Sequence, residues 1–445
     1  MKCRVWTAVV VAAVVGTAVT AMGQLTERPL AGALAHPAIG YYTQPAHDLV
    51  SALNHEIENG TTRVAFDETS GYLQSVLTAL HVPADSQMLV MSKTGVQALY
   101  TGPATPRAIF FNDAVTVGYI RGAPLLELAV QDPRQGILFY TVEQKPQPQQ
   151  GPFFERRPAC LSCHQNYATL HVPGMLARSV FMAPDGLPLS QFGSYDSDDR
   201  TPFRRRWGGW YVTGDAGAMR HIGNAVMTET VKREAIVPDS AMRPIAMEGV
   251  FDGRGYPSSH SDIAALLVFQ HQAHMMNLIT RLGWEWRIAT YQKATAENAE
   301  NAEKGFSAIS PGSAVASSVL RKDTVSELVD YLLFVDEQPL TAAVKGSSGF
   351  AERFAAEGPQ DHRGRSLRQL DLNQRLMRYP CSYMVYSAAF AALPADARTA
   401  VYVRIWDILS GRDTNPKYGR LSEADRHDVV DILRETLHDL PADFR

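Results

Sequence analysis

Cysteine is scarce in this sequence, with four residues in 445. Cys3 lies at the N-terminus, so the body of the chain holds only Cys160, Cys163 and Cys381. Three cysteines form at most one disulfide and leave one thiol over, which excludes a fold that depends on a disulfide framework. Cys381 precedes an apolar stretch and is predicted to be a small buried residue.

An excess of charge of either sign is also absent, because 42 Lys and Arg residues oppose 46 Asp and Glu residues. The net charge of −4 provides no basic field, so no nucleic-acid partner is expected. Long apolar runs are absent beyond residue 21. We therefore expect no membrane span once the N-terminal segment has been removed.

The N-terminus itself has the parts of a secretory signal. Met1–Arg4 is basic, and Val5–Ala21 is uncharged and mostly apolar. Ala21–Gln24 consists mostly of small residues, as a signal-peptide cleavage site does. We predict a signal peptide over residues 1–23 and an exported, periplasmic protein. The alternative is an uncleaved membrane anchor, because the apolar run is close to the length that spans a bilayer.

The apolar pattern of the remaining chain changes from helical to β and back to helical. Residues 41–80 have helical spacing, whereas short apolar runs between Met88 and Val142 are separated by turn signals and indicate an antiparallel meander. Asp262–Tyr291 predicts a long helix. We expect an α+β fold, with the β-meander followed by a loop-rich segment with short helices and by a mostly helical C-terminal region.

These patterns divide the chain into five regions. Thr228–Ala235 is a weaker helix candidate, and Arg368–Met377 is predicted to be helical. The regions are a signal peptide over 1–23, a helix plus β-meander region over 24–150, a cofactor-binding region over 151–292, an irregular linker-like region with one helix over 293–365, and a helical C-terminal region over 366–445.

One motif carries clear chemistry. Cys160-Leu161-Ser162-Cys163-His164 is a C-x-x-C-H sequence, the attachment signature of a c-type haem. Two thiols must reach two vinyl groups at one porphyrin edge, and the following imidazole must turn onto the iron, so the motif is predicted to form one helical turn. Neutral imidazole is a good ligand for haem iron. We predict one covalent haem c, bound through Cys160 and Cys163, with His164 as the proximal iron ligand.

Other chemistry at this motif is less well supported. A redox-active C-x-x-C pair of the thioredoxin type would need a βαβ frame, and the flanking pattern does not provide one. A zinc half-site would need two more ligands at metal spacing. His271 and His274 are one helical turn apart and could meet a metal, but no partner is placed beside them by the sequence.

The sixth iron ligand decides between a closed, electron-transferring site and an open one. His221, which follows a Gly-rich stretch, is the first candidate for a distal ligand. Met175, His171 and Met182 come next, and a site with no sixth ligand is a further alternative. Methionines of this kind are more often packing residues, and an individual histidine is more often a hydrogen-bonded residue than a ligand.

Three more side chains are predicted to contact the haem. Arg157 and Arg178 are candidates for binding the propionates, because a guanidinium matches a carboxylate bidentately. Trp207, in Trp207-Gly208-Gly209-Trp210-Tyr211, is a candidate for packing on the porphyrin. The alternatives are a solvated loop for the arginines and ordinary core packing for Trp207.

Several segments on both sides of the motif resemble the sequences of a known protein family. They are Pro106–Ala108, Phe111–Asp113, Arg157–Cys160, Trp207–Gly214, His221–Asn224, Leu370–Leu372 and Arg378–Tyr383. In these segments the chain resembles an exported bacterial family of single-haem c-type cytochrome-domain proteins of uncharacterised function. The resemblance covers nearly the whole mature chain. It implies haem binding at Cys160, Cys163 and His164, and it implies no substrate.

The sequence therefore predicts an exported c-type cytochrome that transfers electrons to or from a redox partner protein or a small donor or acceptor. The alternative is a haem-dependent oxidoreductase, peroxidase-like or oxygenase-like, because over 400 residues surround one haem and could build an open distal pocket. In that case His221 and Arg220 would be the distal pair. A gas-sensing module ranks third, because no output domain is recognisable.

Overall fold

The computed structural model describes residue 30 and residues 32–146, 152–227, 251–302 and 311–444. The predicted signal peptide and the helix candidate Thr228–Ala235 lie outside these residues. Within the described ranges, no helix combines the length and the apolar character that a membrane span requires.

A seven-stranded antiparallel sheet is the centre of the first half of the chain, and it confirms the predicted meander. Strands β1 to β5 pair in chain order, and β6 and β9 extend the two edges to give the order β6-β5-β4-β3-β2-β1-β9. Two further strands, β7 and β8, form a separate ribbon. The strands are β1 Met88–Val90, β2 Arg107–Phe111, β3 Val115–Tyr119, β4 Leu125–Asp132, β5 Gly136–Glu143, β6 Glu155–Arg156, β7 Arg178–Val180, β8 Ser194–Asp196 and β9 Trp210–Tyr211.

Nine helices are described around the sheet. The long predicted helix is α4, and the C-terminal region is largely helical, so the α+β prediction is confirmed. Ser422 caps α9 by accepting a hydrogen bond from the Asp425 N–H at 3.0 Å, as its position before that helix predicts. The helices are α1 Leu49–Glu58, α2 Leu73–Ala79, α3 Leu161–His164, α4 Ile263–Ala302, α5 Pro311–Leu332, α6 Phe350–Ala356, α7 Ala388–Ala391, α8 Ala395–Leu409 and α9 Glu423–Thr436.

The region over 293–365 is more helical than predicted. Helix α4 continues to Ala302, α5 has 22 residues, and α6 lies in a stretch predicted to be irregular. Alanine, glutamate and lysine are strong helix formers, so a polar stretch rich in them extends a helix. In contrast, Arg368–Met377 is not helical, because an antiparallel bridge joins Leu370 and Met377.

The two faces of the sheet have different neighbours. On one face, alternate residues such as Phe110 and Leu128 are buried, and the Tyr140 hydroxyl donates to Asp48, the N-cap of α1, at 2.7 Å. On the other face, α4 packs across only one end, where the Phe111 and Phe269 rings lie 5.2 Å apart.

The rest of that second face remains partly exposed. The pairing register places Ile109, Gly118 and Glu127 in one row across β2, β3 and β4, with Arg107 and Ala129 on the same side two residues away. All five are only partly buried. We call these five residues the open face of the sheet. It lies on the same side as Phe139, against which the C-x-x-C-H motif packs.

Candidate haem-attachment site

The motif forms one helical turn at the surface, as predicted. A short 3-10 turn, Pro158–Cys160, leads directly into α3, which ends at His164. Cys160 is partly buried and Cys163 is exposed, and both thiols are free. Burial raises the pKa of the Cys160 thiol, and the nearby Glu127 carboxylate acts in the same direction.

The imidazole of His164 is held through Nδ1 by a backbone carbonyl. Its Nδ1 lies 3.0 Å from the Gly174 carbonyl oxygen, and the Gly174 N–H donates to the His164 carbonyl at 2.9 Å. Because a carbonyl can only accept, Nδ1 carries the proton and Nε2 keeps its lone pair. The Phe139 ring packs against the imidazole at a centroid distance of 4.8 Å.

The charge state of His164 also suits a ligand. Burial lowers the pKa of His164, and the guanidinium groups of Arg107 and Arg178 lower it further, while the Gly174 carbonyl opposes them. The neutral ring, which is the form that binds a metal, is therefore favoured.

The Gly174 carbonyl is fixed in place by α4. Asn277, which is buried, accepts a hydrogen bond from the Met175 N–H at 3.0 Å and donates to the Met175 carbonyl at 2.7 Å. A methyl group at position 174 would overlap the Asn277 side-chain oxygen. Sequence reasoning missed Asn277, because it lies 113 residues after the motif's histidine and is polar within a mostly apolar helix.

The loop between His164 and Gly174 holds one of the predicted sixth ligands. Leu170 and His171 both adopt left-handed backbone conformations, with φ of 56° and 61°. His171 is exposed, whereas Met175 and Met182 are buried. Their assignment as sixth ligands stays a prediction.

His221 is buried in a cluster of aromatic rings. Its ring lies 5.1 Å from Trp207 and 6.1 Å from Phe203, and its Nδ1 accepts the Gly223 N–H at 3.1 Å. With Nδ1 accepting, the neutral ring carries its proton on Nε2, so neither nitrogen presents a lone pair to iron in this arrangement. The prediction that His221 is a distal ligand therefore requires the contact with Gly223 to break.

The other predicted haem contacts already have partners within the protein. The Nε of Arg157 donates to Thr141 at 2.8 Å, and its guanidinium pairs with Glu155 at 2.6 Å. Arg178 pairs with Asp196 at 3.1 Å. Trp207 is buried against Phe203 and His221, in agreement with the core-packing alternative. Their roles at a haem stay predictions.

Arg107, which the sequence did not single out as a ligand, is short of partners. Its side chain is 18% exposed, and its nearest anion is Glu127 at 3.6 Å. Its Nε is buried and lacks a hydrogen-bond partner among the described residues. The two side chains meet above Gly118, where a Cβ atom would lie 3.5 Å from the Glu127 carboxylate. A partly buried guanidinium with an unsatisfied Nε fits an anionic ligand.

A loop beside the open face exposes apolar side chains. We call residues 93–101 the Gln97 loop, because the buried Gln97 holds it to β4. The Gln97 amide donates to the Leu125 carbonyl at 3.0 Å and to the Glu127 carboxylate at 3.1 Å. Val96 and Leu99 are 79% and 95% exposed. An apolar ligand edge would cover such residues favourably.

The described residues contain no cluster of three or more His, Cys, Asp or Glu side chains that could hold a metal ion. A haem iron would need only one ligand from this turn, His164, because the porphyrin would supply nitrogen ligands of its own. Two thiols, a neutral imidazole whose Nε2 keeps its lone pair, a guanidinium with an unsatisfied Nε and exposed apolar residues therefore fit a haem.

A cavity of about 280 Å³ lies elsewhere, between α5 and the turn at 198–200. Two of the carboxylates that line it have cationic partners, since Arg281 pairs with Glu327 at 3.1 Å and Lys417 pairs with Asp330 at 2.6 Å. No residue of the motif lines it.

No family model, curated protein or solved structure matches the chain.

Proposed function

We propose that this protein is an exported c-type cytochrome with one haem bound covalently through Cys160 and Cys163. The observation that carries the proposal is the single helical turn of the motif. It combines two free thiols with a histidine whose Nδ1–H is held by the Gly174 carbonyl. The bound haem would supply a one-electron redox centre.

The residues around the motif orient the proximal ligand. The Gly174 carbonyl sets the tautomer of His164, and a hydrogen bond of this kind also raises the basicity of a metal-bound imidazole. Phe139 supports one side of the ring, and Asn277 holds the backbone that carries the carbonyl. His164 is therefore positioned before any metal arrives.

Electron transfer is the activity that the position of the motif supports best. Cys163 and Tyr167 are exposed, so the attachment edge lies at the protein surface, where a partner could approach. The 280 Å³ cavity is lined by other parts of the chain and provides no substrate pocket at the motif. The partner would be a redox protein or a small electron donor or acceptor.

A haem-dependent oxidoreductase is the second candidate. It is favoured by one observation, the hydrogen bond that the Gly223 N–H donates to Nδ1 of His221. In this arrangement the neutral ring carries its proton on Nε2 and offers iron no lone pair. Without His221, the iron would have an open sixth position unless one of the methionines or His171 moves to it.

The test is production in a host that attaches c-type haem, followed by intact-mass measurement and visible spectroscopy with and without carbon monoxide. We expect a covalent mass increase of one haem, which Cys163→Ser should reduce or abolish. Cys381→Ser is the matched control, because this thiol is buried outside the motif and should not affect attachment. Wild-type protein without covalent haem would contradict the proposal.

The spectrum separates the two activities. Low-spin bands that do not change when carbon monoxide is added would indicate that the iron has two protein ligands, which supports electron transfer. A high-spin spectrum that changes with carbon monoxide means an open iron and supports the oxidoreductase.

A further inference from the structure

We infer that Arg107 binds a haem propionate and that the Gln97 loop forms the apolar wall beside it. The inference rests on the proposed function, because it needs a haem attached at Cys160 and Cys163. It concerns residues that lie about 60 positions before the motif.

The hydrogen bonding of Arg107 is the first support. The guanidinium has five N–H donors, yet its side chain donates no hydrogen bond within the described part of the chain, and its Nε is buried. The Glu127 carboxylate at 3.6 Å is an ion-pair partner beyond hydrogen-bond range. Buried donors are normally satisfied, so this side chain is built for a carboxylate that comes from outside the protein.

The location of Arg107 is the second support. It lies on the same side of the sheet as Phe139, whose ring packs against the imidazole of His164 at 4.8 Å. Gly95 lets the guanidinium lie against the backbone of the Gln97 loop, because a methyl group at that position would overlap it. Arg107 therefore connects the open face of the sheet with both the motif and the loop.

The two arginines predicted from the sequence are less suitable. Arg157 is 45% exposed and pairs with Glu155 at 2.6 Å, and Arg178 pairs with Asp196 at 3.1 Å. A propionate would have to displace those carboxylates, whereas Arg107 has only the longer contact with Glu127. Binding at Arg107 breaks no hydrogen bond that the structure contains.

The Gln97 loop supplies the apolar part of the site. Leu99 and Val96 project from a loop whose buried Gln97 is bonded to Glu127, the same carboxylate that faces Arg107. Glu127 pairs with Thr141 on β5, and β5 contacts the turn that carries Cys160. The thiol, the carboxylate, the guanidinium and the loop are thus one continuous neighbourhood. A haem tethered at Cys160 would cover the exposed leucine and valine and gain their burial.

The test of Arg107 compares Arg107→Gln with Arg157→Gln, both as haem-bearing protein. We expect Arg107→Gln to retain covalent haem. Its reduction equilibrium should shift about tenfold toward the oxidised form, or ~59 mV for one electron. Loss of the cation stabilises the oxidised, more positive haem and raises the pKa of the propionate, so the pH-dependent part of the potential should move to higher pH. Arg157→Gln should change the reduction equilibrium by no more than about twofold and should leave the pH dependence of the potential unchanged.

Equal potentials and pH profiles for the two variants would overturn the assignment of Arg107. If Arg107→Gln folds poorly, Arg107→Lys keeps the charge but removes the bidentate donor geometry, and it should show a smaller shift in the same direction. Failure of the proposed function has a different signature, since wild-type protein would then carry no covalent haem at all.

The wall is tested by Leu99→Ser, with Val403→Ser as the control on α8, where Val403 is 46% exposed. We expect Leu99→Ser to lower the Tm of haem-bearing protein by about 2–4 °C, because burial against the haem is lost. It should leave the Tm unchanged in the haem-free Cys160→Ser/Cys163→Ser background. If Leu99→Ser leaves the Tm unchanged in haem-bearing protein as well as in haem-free protein, the Gln97 loop is not an apolar wall of the haem site.

Discussion

At the scale of single residues, Asn277 is the side chain on which the geometry of His164 depends. It makes two hydrogen bonds to the Met175 backbone, of 3.0 and 2.7 Å, and so fixes the neighbouring Gly174 carbonyl. We predict that Asn277→Ala lowers the free energy of unfolding by about 2–3 kcal/mol, because two buried backbone groups lose their partners. Urea denaturation measures this change.

The same variant should also raise the reduction potential of haem-bearing protein. A weaker hydrogen bond at Nδ1 makes the His164 imidazole a poorer donor to the oxidised iron. Gly174→Ala is the complementary change, since its methyl group would overlap the Asn277 amide, and it should shift the potential in the same direction. An unchanged reduction potential in both variants would mean that Asn277 does not affect His164 as an iron ligand.

The sequence identifies the residues of the proposed haem attachment more readily than the residues that surround them. Cys160, Cys163 and His164 are adjacent, so their spacing alone carries the chemistry. Asn277 and Arg107 reach the motif only through tertiary structure, and no local pattern distinguishes them from other polar residues. Arg157 was chosen for its position in the chain, but its guanidinium pairs with Glu155.

At the scale of secondary structure, helix α4 depends on one buried carboxylate at its start. One oxygen of Asp262 accepts from the Ala264 N–H at 2.7 Å, and the other accepts from the Ser347 and Ser348 N–H groups at 2.6 and 2.7 Å. Asp262 therefore caps α4 and ties it to the segment before α6.

We predict that Asp262→Ala lowers the free energy of unfolding by about 3 kcal/mol. Loss of an N-cap costs about 1 kcal/mol, and the serine amides lose a charged acceptor as well. Asp262→Asn, which keeps one acceptor oxygen, should cost less than the alanine variant. Guanidinium denaturation of both variants provides the comparison, and equal losses would contradict the two-part role of the carboxylate.

The strands and helices differ in how far the sequence predicts them. Strands β2 to β5 were found because short apolar runs alternate with turn residues such as Asn112, whose side chain accepts from the Ala114 and Val115 N–H groups. The pairing of β9 with β1 was not foreseen, because it joins residues more than 100 positions apart. Such non-local pairing leaves no local signature.

At the scale of the whole molecule, α4 joins the region of the C-x-x-C-H motif to the helical C-terminal region. Its His271 is fully buried, with Nδ1 at 2.6 Å from Asp199 and Nε2 at 2.6 Å from Ser382. A serine, histidine and aspartate in this order suggest a nucleophile, but Ser382 is inaccessible and its hydroxyl also accepts the Met384 N–H. We interpret the arrangement as a structural connection, with the C-terminal region as scaffold.

The stability of the whole molecule should depend on buried neutral histidines. Burial lowers the pKa of His221 and of His274 to about 4, from an ordinary value of 6.5. Between these values the unfolded chain binds a proton that the native protein does not, so stability is lost as the pH falls from 6.5 to 4. Each histidine contributes ~3 kcal/mol to this loss. Glu337, whose pKa burial raises to about 7, acts in the opposite direction between pH 4.5 and 7.

His221→Phe isolates one of these contributions. Phenylalanine keeps the ring packing against Trp207 and Phe203 but cannot titrate. We predict that the variant unfolds at pH 7 with a free energy about 1 kcal/mol below wild type, because the Gly223 N–H loses its acceptor. It should lose ~3 kcal/mol less than wild type between pH 6.5 and 4. Parallel pH profiles for the two proteins would contradict the prediction, because they would mean that the pKa of His221 is the same in the native and the unfolded protein. In haem-bearing protein, a loss of stability that continues below pH 4 would indicate that His221 binds iron, because a coordinated imidazole stays unprotonated to a lower pH than the uncoordinated buried ring.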